Sequence, residues 1–143
     1  MRSKRIQPIA KHADQLQQQA VQIFVVAQKA VVDAQIQLEQ LLEYRCEYNS
    51  GRVSYQQTAI QLKDYQLFLD KLNQSIEQAR MNILHKKQIC EQQKLSWLKT
   101  RSRSKALDAV IVKYQMQEAQ IEARIEQKEQ DEFASRNSSK KSK

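Results

Sequence analysis

Apolar residues recur along this chain with a helical period, and almost nothing interrupts them. Positions 9, 13, 16, 20, 23, 27, 30, 34, 37, 41, 44 and 48 alternate spacings of four and three. They read Ile, Ala, Leu, Ala, Ile, Ala, Ala, Ala, Gln, Leu, Tyr, Tyr, a heptad seam of a long coiled-coil helix. A second stripe of Val21, Phe24, Val31, Leu38 and Leu42 runs beside it. One partner helix needs only one seam, so apolar surface is left over. Pro8 sits where a first helical turn tolerates it. Asn49-Ser50-Gly51 reads as a helix stop, and Ser54 or Thr58 can cap the helix that follows. That second helix carries Leu62, Tyr65, Leu69, Leu72, Ile76, Ala79 and Ile83. Its seam fades through Lys86, Cys90 and Gln93, returns at Trp97, and continues through Leu107, Ile111, Tyr114, Ile121 and Ile125.

The pattern predicts an all-α fold: a long two-helix antiparallel coiled coil in which the second helix overhangs the first. It is expected to form a single domain over 1–143. The first helix spans about 8–48, the turn about 49–56 and the second helix about 57–135, with a disordered basic tail at 136–143. Folding about residue 56 pairs positions whose numbers sum to about 112. Tyr48 is then expected near Tyr65, Leu41 near Leu72, and Ile6 near Ala106. On that register Leu107, Ile111, Tyr114, Ile121 and Ile125 lie on the overhang with nothing in the chain to cover them.

Composition narrows the alternatives. One Gly and one Pro in 143 residues cannot supply the turns of a sandwich, a barrel or an α/β fold. The 24 Gln favour helix, and a mean hydropathy of −0.75 leaves little for a compact core. A net charge of +8 suits an acidic partner such as nucleic acid, an anionic membrane surface or an acidic protein. The charge is uneven. Residues 80 to 105 hold eight Lys and Arg against Glu91 alone. Beyond them Glu118, Glu122, Glu126, Glu129, Asp131 and Glu132 face Arg124 and Lys128. Cys46 and Cys90 are isolated and read as reduced thiols of a cytoplasmic protein. No apolar run is long enough to span a membrane, and the basic N-terminus lacks the apolar stretch of a secretory signal.

Catalytic chemistry finds no foothold. His12 and His85 are far apart, and no metal-ligand spacing or Gly-rich phosphate loop occurs. No enzyme activity, cofactor or metal is expected. The basic run KTRSRSK at 99–105 can face an acidic surface. Leu41, Tyr44, Tyr48, Phe68 and Leu72 gather on the loop-side half of the hairpin. They offer more aromatic surface than one seam needs, which suits an external docking site.

EYRCEY (43–48), DYQLFLDKLNQSI (64–76), Trp97 with the following KTRSRSKAL, and EQKEQDEFASR (126–136) resemble the FliJ family of bacterial flagellar type III export. The resemblance runs in order over most of the chain. It implies a cytoplasmic antiparallel coiled coil, peripheral at the inner membrane, similar to the central stalk of rotary ATPases. Such a stalk binds and activates the hexameric export ATPase, binds the membrane export gate, and helps recycle export chaperones. A gate-binding surface is implied at Gln37, Leu41, Tyr44, Tyr48, Phe68 and Leu72. Ser75 and Ala79 depart from the family pattern, where Ala and His are familiar. By analogy with rotary stalks, the ATPase contact is expected at Arg101, Arg103, Lys105, Leu107, Ile111, Tyr114, Ile121 and Ile125. Two other readings remain: a basic coiled coil that binds nucleic acid or an anionic membrane, and the equivalent stalk of a virulence type III secretion system.

Overall fold

A computed structural model describes residues 1–52 and 58–141, without the side chains of 51, 52 and 141. Two helices account for nearly all of it: α1, Arg2–Arg52, and α2, Ala59–Lys141. They pack against each other, and no strand occurs among the described residues. The fold is an all-α helical hairpin, consistent with a coiled coil. The packing divides into two compact units, Gln19–Leu98, and Met1–Gln18 with Lys99–Lys143.

The helix ends differ from the sequence expectation. α1 starts at Arg2, so Pro8 lies inside it. An interior proline removes one backbone hydrogen bond and crowds the preceding turn. The turn before Pro8 is held instead by α2: Ser3 is buried against it, and the Arg2 guanidinium lies 5.9 Å from the centre of the Tyr114 ring. At the other end α1 passes through Asn49-Ser50-Gly51 to Arg52. The Ser50 hydroxyl donates back to the Cys46 carbonyl at 2.9 Å, a contact made within helical geometry, and no glycine takes a positive φ. Asn49 does not stop the helix; its side-chain oxygen accepts a 2.7 Å bond from the Tyr65 hydroxyl on α2. Residues 136–141, expected to be disordered, continue α2. Ser54 and the rest of 53–57 lie outside the described residues.

Thr58 caps α2. Its hydroxyl accepts from the Gln61 amide at 3.3 Å, and the Gln61 side chain accepts from the Thr58 amide at 3.1 Å. This reciprocal pair satisfies two donors that a helix start otherwise leaves unbonded.

In the Gln19–Leu98 unit the buried core is small on one side and large on the other. α1 contributes Ala27 and Ala34; α2 contributes Tyr65, Leu72, Ile76 and Ile83. The α2 seam is the one its periodicity predicts. The α1 seam is not. Column 20, 27, 34, 41 and 48 faces α2 as expected, but its companion column is 24, 31, 38 and 45 rather than 23, 30, 37 and 44. Ile23, Gln37 and Tyr44 are exposed, whereas Phe24, Val31 and Leu38 are partly covered. Phe24 decides the phase: it stacks on Trp97 with ring centres 5.7 Å apart and planes 9° apart. The Arg45 guanidinium, on a seam position, reaches out to donate to the Asn73 side-chain oxygen at 3.1 Å.

At the loop end Tyr48 meets Tyr65 as expected; further along, the covered positions of the two helices match in a register whose paired numbers sum to about 117 rather than 112. In the other unit Arg2 lies over Tyr114, a sum of 116, and the Glu118 side chain reaches Ser3 from about one turn further along α2. Ile6 therefore stands at the level of Ile111, not Ala106. This corrects the expected overhang: Leu107, Ile111 and Tyr114 are partly covered by α1, and the fully exposed stretch starts at Ala119.

Among the described residues Ile76 is the one large side chain with essentially no solvent contact. Ile76→Ala is expected to cost about 2–5 kcal/mol, read from the urea unfolding midpoint by circular dichroism. Thr58→Ala, which removes the cap, is expected to cost about 0.5–2 kcal/mol in the same assay.

Candidate functional site

The loop-side half of the Gln19–Leu98 unit carries an aromatic ladder. Tyr48 on α1 stacks on Tyr65 of α2 with ring centres 4.8 Å apart and planes 8° apart. Tyr48 also meets Phe68 at 4.5 Å, and Tyr44 meets Phe68 edge-on at 6.0 Å. Aromatic pairs at these separations add stabilisation of about 0.5–1.5 kcal/mol beyond the area they bury. The ladder is thus both glue between the helices and a surface feature.

The six residues singled out for docking divide by exposure. Gln37 is exposed and Tyr44 is 49% exposed. Leu41, Tyr48 and Phe68 are partly covered, and Leu72 is only 7% exposed. Leu72 belongs to the core beneath the patch. Sequence reasoning selected it for its spacing, which core and surface residues at a seam edge share. The candidate set left out Tyr65, which the seam had placed near Tyr48 as the structure does, and which forms the buried base of the ladder, anchored through its hydroxyl to Asn49. The signal was present in the heptad phase, which puts Tyr65 opposite Tyr48.

The second candidate set lies in the unit formed by Met1–Gln18 with Lys99–Lys143. Leu107, Ile111 and Tyr114 are seam residues half-covered by α1. Ile121 and Ile125 are 56% and 53% exposed, on a stretch with no partner helix in the chain. Arg101, Arg103 and Lys105 are exposed on the same helix. The structure therefore splits this set between a sealed seam and an open amphipathic helix.

At the start of that open stretch Glu118 reaches across to α1. Its carboxylate accepts from the Ser3 amide at 3.2 Å and from the Ser3 hydroxyl at 2.7 Å. A carboxylate at a helix N-terminus satisfies an unbonded amide and faces the positive end of the helix dipole. The hydroxyl bond from Ser3 is the main reason that the Glu118 carboxyl is held below its ordinary value. The Ser3 amide and the positive charges of the chain terminus and Lys4 act in the same sense, against a desolvation that works the other way.

No group of three His, Cys, Asp or Glu close enough for a metal occurs among the described residues. Nor, among the described residues, is any helix long and apolar enough to cross a membrane. What the surface offers is a set of exposed apolar, aromatic and charged faces on a helical hairpin. The sequence model of a family described as Flagellar FliJ protein matches residues 2–143, essentially the whole chain. The chain belongs to the FliJ family. No individual curated protein matches it with significance. FliJ membership makes this protein a component of the flagellar export apparatus, in a family whose role is non-enzymatic. It also selects the flagellar reading over the virulence system and the generic basic coiled coil.

A depressed carboxyl pKa fixes the sign of a pH effect. The Ser3–Glu118 contact contributes its full stabilisation above the ordinary carboxyl value near 4.5, and loses it as pH falls through the lower value of the folded state. The Ser3 amide is expected to lose protection from hydrogen exchange over that acid window in the parent protein. Glu118→Gln should show weaker Ser3 protection at neutral pH and no such acid step.

Proposed function

We propose that this FliJ protein is the stalk-like activator of the flagellar export ATPase. In this reading it binds the hexamer through one end of the hairpin, contacts the membrane export gate through the other, and assists recycling of export chaperones. Its place is the cytoplasm, peripheral to the inner membrane. The family match over the whole chain carries this reading. The hairpin form, with an exposed α2 end, supports a shaft that enters a ring.

The gate contact is assigned to Gln37, Leu41, Tyr44, Tyr48 and Phe68, with Leu72 supporting them from below. Tyr44 supports the assignment best: it is half-exposed, aromatic and braced edge-on by Phe68. Rigid, amphipathic aromatics of this kind are favoured anchors at interfaces. The ATPase contact is assigned first to Ile121 and Ile125, each more than half exposed, and then to Arg101, Arg103 and Lys105. Leu107, Ile111 and Tyr114 would act by holding α2 straight against α1 rather than by direct contact.

The hydrolysis rate of the cognate export ATPase, measured against added protein, tests the first part. Saturable stimulation well below one copy per ATPase subunit is expected; no stimulation and no co-sedimentation would refute it. Ile121→Asp with Ile125→Asp should abolish stimulation with helicity retained. Tyr44→Asp should weaken binding to the isolated cytoplasmic part of the gate about tenfold or more while leaving stimulation intact. The reverse pattern would invert the proposed orientation.

A further inference from the structure

The phase of the α1 seam leaves a second groove open along the hairpin, on the flank away from Tyr44. In the Gln19–Leu98 unit, Val25 and Val32 form its α1 shoulder, 55% and 51% exposed. Leu84 and Leu98 form its α2 shoulder and are also exposed. Between the shoulders Lys87 and Lys94 stand seven residues apart on α2, both exposed. On the α1 side Val21, Gln28 and Gln35 occupy this flank, so no acidic residue of α1 answers these lysines at those positions. Glu91, one turn from each lysine, is the carboxylate of this stretch. Residues at 21, 25, 28, 32 and 35 repeat the three-four spacing of a packing seam, and so do 84, 87, 91, 94 and 98. The groove therefore has the form that receives a third helix, with apolar shoulders and a positive edge.

The chain contains a helix of matching chemistry. From Ala119 to Lys140 α2 is exposed throughout. Ile121 and Ile125 make its apolar stripe. Glu122, Glu126 and Glu129 run along one side of that stripe at spacings of four and three. Glu122 and Glu129 are separated by seven residues, as Lys87 and Lys94 are, so both pairs span about 10 Å of helix. With Ile121 and Ile125 laid against the valine shoulder, the three glutamates fall along the lysine edge.

We propose that two copies of this protein associate by seating the acidic 119–133 stretch of one copy in the Val25/Val32–Leu84/Leu98 groove of the other, as the third helix of a local bundle. The contact buries apolar side chains that a single copy leaves in water, and complementary charge sets its direction and partner. Ile121 and Ile125 also belong to the proposed ATPase contact, so pairing and ATPase engagement compete. That consequence rests on the proposed function; the pairing itself does not.

Sedimentation equilibrium of the full chain tests this without the ATPase. A concentration-dependent dimer is expected at about 50 mM salt, weakened about tenfold or more at about 500 mM. Lys87→Glu with Lys94→Glu should lose association, as should Glu122→Lys with Glu126→Lys and Glu129→Lys, with helicity by circular dichroism unchanged in both. Mixing the two charge-reversed proteins should restore a heterodimer, a rescue that misfolding cannot produce. A monomer at every concentration and salt, which would leave the groove to a foreign acidic helix, overturns the proposal. So does a dimer that survives both reversals, or a mixture that fails to pair.

Discussion

The alanine column of α1 is the constraint from which the rest of this molecule follows. Ala13, Ala20, Ala27 and Ala34 recur every seven residues, and three of the four are buried. Small side chains let a neighbouring backbone come close, and they demand large partners to fill the space. In the Gln19–Leu98 unit α2 supplies those partners in Tyr65, Leu72, Ile76 and Ile83. The division of labour leaves the core thin. Alanine buries little apolar area, so the larger apolar residues of α1 are free to face outward, and Ile23, Val25, Val26 and Val32 do. The result is surplus apolar surface on a two-helix hairpin.

That constraint also explains what could be read from the sequence. The α2 seam was legible because its large residues occupy one phase only. In α1 the alanine column was legible, but its companion was not. Ile9, Leu16 and Ile23 are more apolar than Ala10, Gln17 and Phe24 taken together, and periodicity alone prefers them. The choice is made by α2, where Trp97 needs an aromatic face and finds Phe24. Helix ends were misjudged for a related reason. Pro8 and Gly51 are local stop signals, and both were overridden: by α2 contacts at Arg2 and Ser3, and by the back-bonded Ser50 near Gly51.

For the candidate sites, sequence spacing did not resolve the depth at which each residue lies. Leu72 and Tyr44 lie on adjacent positions of one patch, yet one is core and the other is surface. Leu107, Ile111 and Tyr114 were expected to be open, and the shift of register closes α1 over them. The Glu118 cap on Ser3 marks where that cover ends. Beyond it α2 presents two exposed isoleucines and a row of exposed glutamates. The family supplies the setting, the flagellar export apparatus.

The register is the claim on which these assignments stand, and Cys90 offers a direct measurement of it. Cys90 lies half-covered on the α2 seam, and a sum of about 117 sets it opposite Ala27. With Cys46 replaced by serine, Ala27→Cys should form an intramolecular disulfide with Cys90 under mild oxidation, read by mass spectrometry after proteolysis. Gln22→Cys, which the register of 112 would place opposite Cys90, should stay reduced. Efficient trapping at position 22 and none at 27 would contradict the seam, and with it the groove and the extent of the exposed end.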